Sequence, residues 1–218
     1  MTGQEMVDLL GLRLEDTAEA NFTSATKLKA LNVAQTTVAN FLDKSYLIEL
    51  DGYASHILNS GQTANGSILL SAMTVAPLRN MVRAVEVKYS GDYKFVIMIP
   101  FEDAKTIENQ YLAPSEDSPV AWIFNSTLEV RPTGLTNLKI YYLKSPTDIT
   151  ASSTVPDLNV SLHETVLDFA EAQLWRMDNK VDRANIAQNM AMNTIKILND
   201  RFTVEAPTGI GTKSKGSN

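Results

Sequence analysis

The chain has 218 residues, a formal charge of −6, 44% apolar residues and no cysteine. That length fits one domain with an extension or two small ones, and the apolar share is enough for a packed core. The missing cysteine excludes disulfides, thiolate metal sites and cysteine nucleophiles, and the acidic balance disfavours a nucleic-acid reader, which needs a basic face to neutralise phosphates.

Residues 4–14, "QEMVDLLGLRL", form a short helix with Met6, Leu9, Leu10 and Leu14 on one face despite Gly11. The segment "EDTAEANFT" breaks it, and Ser24 is placed to cap a second helix over 24–42. In that helix Leu28, Leu31, Ala34, Gln35, Val38 and Phe41/Leu42 make a narrow seam, bordered by Asn32, Thr36, Ala39 and Asn40. Two readings fit this border: a surface helix with one core edge, or a helix held between its own domain and a neighbouring subunit. Residues 51–66 carry the Gly, Asn and Ser density of a loop, with room for a short strand over 55–58.

From residue 67 the period shifts toward two. Strands are expected at 68–73, 82–89 and 93–98, the last two joined by a turn at Ser90-Gly91-Asp92. A short helix over 100–112 follows, then strands at 119–125, 127–132 and 138–146. The middle of the chain is thus a small, mostly antiparallel sheet or barrel-like unit.

Ser161 and Glu164 stand at capping-box spacing before a long helical seam. It runs through Leu167, Ala170, Leu174, Met177, Val181, Ala184, Gln188, Ala191, Ile195, Leu198 and Phe202. One helix over 161–202 would be about 60 Å long, against roughly 45 Å for a compact chain of this size. An αα-hairpin is therefore expected, turning at "DNKV", with its second helix capped by Asp182 and its helices packed through Leu167, Leu174, Ile195 and Leu198. The last residues, from about Thr203, are basic and glycine-rich and are expected to be unstructured in the free protein.

The fold class expected is α+β: a helical bundle of N-terminal helices plus a C-terminal hairpin, an inserted antiparallel β unit and a flexible C-terminal arm. Its segments are 1–50, 51–150, 151–203 and 204–218.

Reactive chemistry is sparse. His56 and His163 are far apart and fit no metal-ligand pattern, and His163 is expected at the surface beside a helix cap. "GIGTKSKG" (209–216) departs from a phosphate loop, since it follows no strand and opens no helix. Glu102/Asp103 and Glu116/Asp117 read as solvated pairs, and Trp122 and Trp175 as core. Four Asn-x-Ser/Thr triplets, at Asn21, Asn65, Asn125 and Asn159, carry no weight, because no basic stretch and apolar core open the chain as a secretion signal would. No apolar run approaches the roughly 18 residues of a membrane span. No catalytic constellation, metal or cofactor is expected.

In order, these segments resemble the head-to-tail adaptor proteins of tailed bacteriophages. The resemblance rests on Leu31, Asn32, Ala34 and Gln35 in an "LN-x-AQ" type helix, and on Tyr141, Tyr142 and Pro146 at the end of a strand. A "P-x-L" lead at Pro156 and Leu158 and the alanine-bearing helices that follow complete it. It implies a non-enzymatic ring, usually of twelve copies, in the virion neck, assembled in the host cytoplasm. Its partners would be the portal and a tail or second neck protein, with DNA passing through the lumen without specific binding. Under that resemblance Asn32, Gln35, Thr36 and Ala39 are candidates for the inter-subunit face, and Pro207, Ile210, Lys213 and Lys215 for an arm on the portal or a neighbour. A heterologous ring contact requires two different surfaces on each subunit. The other reading is a monomeric binding module with a ligand or glycan pocket around Trp122, Phe124 and Tyr141.

Overall fold

The computed structural model describes residues 1–57, 65–73, 76–108, 113–150 and 153–205. The chain is α+β and divides into two compact units, one of residues 1–47 with 147–218 and one of residues 48–146.

The first unit holds the described α-helices of the two chain ends: α1 (Gly3–Arg13), α2 (Ser24–Phe41), α3 (His163–Met177) and α4 (Val181–Glu205). Helix α1 packs on α2 and α3, and α3 packs on α2 and α4. Their shared core includes Met6, Leu10, Leu31, Val38, Val166, Leu167, Leu174 and Ile195, none more than 3% exposed. Between α3 and α4 the chain turns at Asn179, whose φ of 57° lies in the left-handed region that Asn tolerates. The seam of α4 is mostly alanine: Ala184, Ala187 and Ala191 are buried with Ile195, so the helix backbones approach closely. Leu198 is half-buried, while Met177 and Val181, expected in the seam, flank the turn at 64% and 57% exposure.

Caps differ from the sequence expectation. The capping box belongs to α1, where Thr2 and Glu5 exchange their bonds. Thr23, not Ser24, caps α2. Ahead of α3, Asn159 caps a 3₁₀ turn over Val160–Leu162 and also takes the Ser161 hydroxyl, so Ser161 and Glu164 form no box. His163, expected at the surface, is 1% exposed. Its Nε2–H donates to the Leu158 carbonyl at 3.0 Å, and its Nδ1 lies 3.2 Å from the Met1 nitrogen. Helix α4 continues to Glu205, past the expected end near Phe202. The remainder of the expected arm lies outside the described residues.

The link between α1 and α2 is fixed by a buried ion pair. Lys27, 2% exposed, donates from Nζ to the Asp16 carbonyl at 2.9 Å and lies 3.5 Å from its carboxylate. Asp16 in turn accepts the backbone N–H groups of Asn21 and Phe22 at 3.0 and 2.9 Å. Those bonds, that of Asn21 foremost, hold its carboxyl below the usual carboxylate range. Gly11 fits here because a Cβ would meet Lys27 Nζ at 3.2 Å.

The second unit is two sheets. One has the order β1-β8-β3-β4, where β1 is Asp51–Ile57, β3 Pro77–Lys88, β4 Lys94–Phe95 and β8 Asn137–Lys144. The other has the order β2-β7-β6-β5, where β2 is Ser67–Leu69, β5 Ile97–Met98, β6 Val120–Phe124 and β7 Thr127–Arg131. The pairs are antiparallel except β5 with β6. Ile68, Ala121, Leu128 and Val130 of one sheet meet Val85, Val87, Leu138 and Ile140 of the other in one core. Residues 51–57, expected as loop with a short strand over 55–58, form one edge strand throughout, because β8 supplies a ladder from Asp51 onward. Leu58 and the rest of that loop through Ala64 lie outside the described residues. The expected 93–98 strand divides at buried Val96 and serves both sheets. Strand β3 begins before residue 82 because Arg79 and Asn80, both at positive φ, absorb a register shift. Asn125 and Ser126, also at positive φ, make the two-residue turn between β6 and β7. The expected 68–73 strand stops at Leu69 in a 3₁₀ turn, and 3₁₀ geometry replaces the α-helix over Phe101–Glu108.

Two stability measurements follow from the buried charges. Replacing Lys27 by Met keeps the stem but strands the Asp16 carboxylate, and urea unfolding followed by helical circular dichroism should lose about 3 kcal/mol. Burial pushes the His163 pKa below its ordinary 6.5. The unfolded chain therefore binds the proton first, so the His163 contribution is complete above about pH 6.5 and falls as pH drops toward the folded value. The His163→Gln variant should lack that component of the pH dependence.

Candidate functional site

The border of α2 on which the interface expectation rested is an internal clamp. Gln35 and Ala39 are fully buried within the helical unit, and Asn32 and Thr36 are half-buried. Asn32 Oδ1 accepts the Ile149 N–H at 2.8 Å and its Nδ2 donates to the Ile149 carbonyl at 3.2 Å, the pairing a β-strand would offer. One turn along, Gln35 Nε2 donates to the Thr147 carbonyl at 2.8 Å and to Asn32 Oδ1 at 3.2 Å, while its own Oε1 has no hydrogen-bond partner among the described residues. Thr36 donates its hydroxyl to the Asn32 carbonyl. Asn32 thus spends its carboxamide and Gln35 its amide N–H inside the unit, and Ala39, fully buried, presents no surface for a neighbour. Pro207, Ile210, Lys213 and Lys215 lie outside the described residues.

The helical unit also carries a groove of about 380 Å³, lined by Arg13, Asp168, Glu171, Trp175, Arg183, Ile186, Ala187 and Met190. Arg13, at the end of α1, pairs with Glu164, with Asp168 at 2.7 Å and with Glu171 at 3.4 Å, three carboxylates on successive turns of α3. Burial pushes the Asp168 carboxyl up, against the pull of Arg13. Trp175 donates its indole N–H to Glu171 at 3.0 Å, and its ring lies under Lys180 and Arg183, 4.6 and 4.8 Å from the centroid. Trp175 is core, as expected, but it also floors this charged rim.

From the rim of the groove outward, α4 carries Ile186, Met190 and Ile197 at 63%, 57% and 57% exposure, on the side of the helix away from its alanine seam. The sequence reading followed only the seam. The signal that would have found the second stripe is the same four-and-three spacing, displaced around the helix.

In the β unit the three aromatic residues proposed for a pocket do not converge. Trp122 and Phe124 stand on the outward face of the second sheet, with Arg131 over Trp122, 5.5 Å from the centroid. Tyr141 faces outward from the other sheet, its hydroxyl 3.4 Å from Glu86. The two outward faces lie on opposite sides of the shared core, so no single cavity contains all three. Phe124 instead stacks on Phe101 at 4.3 Å, with Leu69 and Ile97 also half exposed on the unit.

Among the described residues no group of three or more His, Cys, Asp or Glu side chains is disposed to hold a metal ion, and no helix is long and apolar enough to cross a membrane. No protein-family model matches the chain, and comparison with curated proteins finds no significant match.

The clamp makes an ordered prediction. Asn32→Ala leaves both polar groups of Ile149 without their partner and should cost about 2–6 kcal/mol, at roughly 1–3 kcal/mol for each buried orphan. Gln35→Leu removes one donor together with an unmatched acceptor and should cost less. Unfolding followed by Trp175 fluorescence in a Trp122→Phe background measures both, and the reverse order would mean that the clamp does not hold the 147–149 segment.

Proposed function

We propose that the protein is a head-to-tail adaptor of a tailed bacteriophage, a structural subunit without enzymatic activity. Copies form a ring beneath the portal in the virion neck, continue the DNA channel and offer the tail its docking surface. The observation that carries this reading is the amide clamp. The "LN-x-AQ" residues Asn32 and Gln35 are fastened to the segment that directly follows Pro146, 117 residues from Asn32 at Ile149. The clamp therefore ties the "LN-x-AQ" helix to the segment by which the chain re-enters the helical unit.

In this reading the four helices act as a bundle, α3 and α4 being its C-terminal hairpin. The segment from 204 reaches the portal or a neighbouring subunit through Ile210, Lys213 and Lys215. A charge of −6 suits a conduit, because a basic lumen would retain DNA through its phosphates. The subunit contact falls to the outward faces of the helices, since Gln35 and Ala39 are used internally.

A binding module is the second reading, favoured by the exposed Phe101–Phe124 stack on the β unit. The two are separated by mixing the full chain with DNA-filled capsids bearing the portal encoded alongside it and imaging the necks. The adaptor reading expects an added ring coaxial with the portal, and weaker attachment when residues 204–218 are deleted. Capsids without added density, together with glycan-array binding that Phe124→Ala abolishes, would establish the module instead.

A further inference from the structure

The outward stripe of α4 has an order that matches its own reverse. Arg183, Ile186, Met190, Asn193, Ile197 and Asp200 follow at intervals of three, four, three, four and three residues, all on exposed positions of one helix. Such spacing keeps a narrow stripe on one side of an α-helix, as in the seam of a coiled coil. When a second α4 is laid antiparallel with the crossing between residues 191 and 192, three kinds of layer form. Ile186 meets Ile197, Met190 meets Asn193, and Arg183 meets Asp200, each twice by the two-fold axis.

We infer that the protein self-associates through α4, as a two-fold antiparallel pair whose occupant is a second copy of the same helix. Three features argue for this chain as the partner and not for an unrelated apolar ligand. The apolar layers are self-matching in size. The terminal layers bring opposite charges together only in the antiparallel sense, since a parallel pair sets Arg183 on Arg183 and Asp200 on Asp200. The central layer sets the Asn193 amide opposite Met190, a polar position of the kind that fixes register at some expense of stability. Two-fold contacts are isologous, and a surface that must meet itself has to be self-complementary in this way. Arg183 is half exposed at the end of the stripe, its guanidinium 4.8 Å from the Trp175 centroid and 3.4 Å from a Glu15 carboxylate oxygen, so in the pair it exchanges an exposed contact within the chain for Asp200 of the second copy.

This pairing is independent of the adaptor reading. A closed ring repeats a contact between two different surfaces, whereas α4 pairs with itself in the free protein, so each can fail while the other stands.

Sedimentation equilibrium of the full chain is expected to give twice the chain mass, and Ile186→Glu or Ile197→Glu to give the monomer. Both replace side chains more than half exposed, so unchanged helical circular dichroism will show that the fold is kept. Arg183→Asp and Asp200→Arg are each expected to weaken the dimer at least tenfold, and the double variant to restore it. The inference is overturned if the wild type is monomeric throughout the micromolar range. It is also overturned if the glutamate variants remain dimeric, or if the double charge reversal is no tighter than either single one.

Discussion

Two carboxamides on one turn of α2 hold the helical unit together. Its halves come from opposite ends of the chain and are separated by the whole β unit, so helix packing alone does not say where the returning chain must lie. Asn32 and Gln35 fix that point by offering the 147–149 backbone the donors and acceptors that a sheet neighbour would provide. Backbone groups entering a packed helical layer have to be paired, and a side-chain amide supplies a donor and an acceptor from two separate atoms, as the N–H and C=O of one residue require. Once the return is fixed, α3 starts beside α2, His163 closes against the Leu158 carbonyl, and the apolar seam of α3 has a defined partner.

The second polar anchor has the same logic with charges. A lysine and an aspartate at 2% and 3% exposure are tolerable only because each is bonded, Lys27 to the Asp16 carbonyl and carboxylate and Asp16 to two backbone N–H groups besides. This sets the angle at which α1 leaves for α2, and Gly11 leaves the room that the lysine head requires. The groove lined by Arg13 and α3 is built differently. Arg13 lies among Glu164, Asp168 and Glu171, each at least partly open to solvent, so these ion pairs place the end of α1 on α3 while adding little to stability.

Helix α4 carries two tasks. Its alanine face lets it lie close to α3, where a larger residue would hold the backbones apart, and its outward face keeps isoleucine and methionine in water. Apolar side chains spaced along one exposed stripe are a standing cost unless something covers them. That cost, together with the reversed order of the charges at its ends, is what makes α4 the most informative surface on the helical unit.

The sequence by itself determined the helices and their inward faces, since a 3.6-residue period in Leu31, Val38, Leu167, Leu174 and Ile195 reflects burial directly. It also determined the location of the β region and the break near Asp178, because alternation, turn residues and chain length are local or global properties of the string. Only the tertiary structure decided what the polar residues do. The border of α2 looked like a face for a partner because an amide on a helix carries no mark of whether its own chain will come back to meet it. Strand 51–57 and the division at Val96 were hidden for the same reason, being defined by ladders to residues far along the chain. His163 looked like a surface residue because a titratable group is buried only where a specific partner stands, and that partner is chosen by the fold.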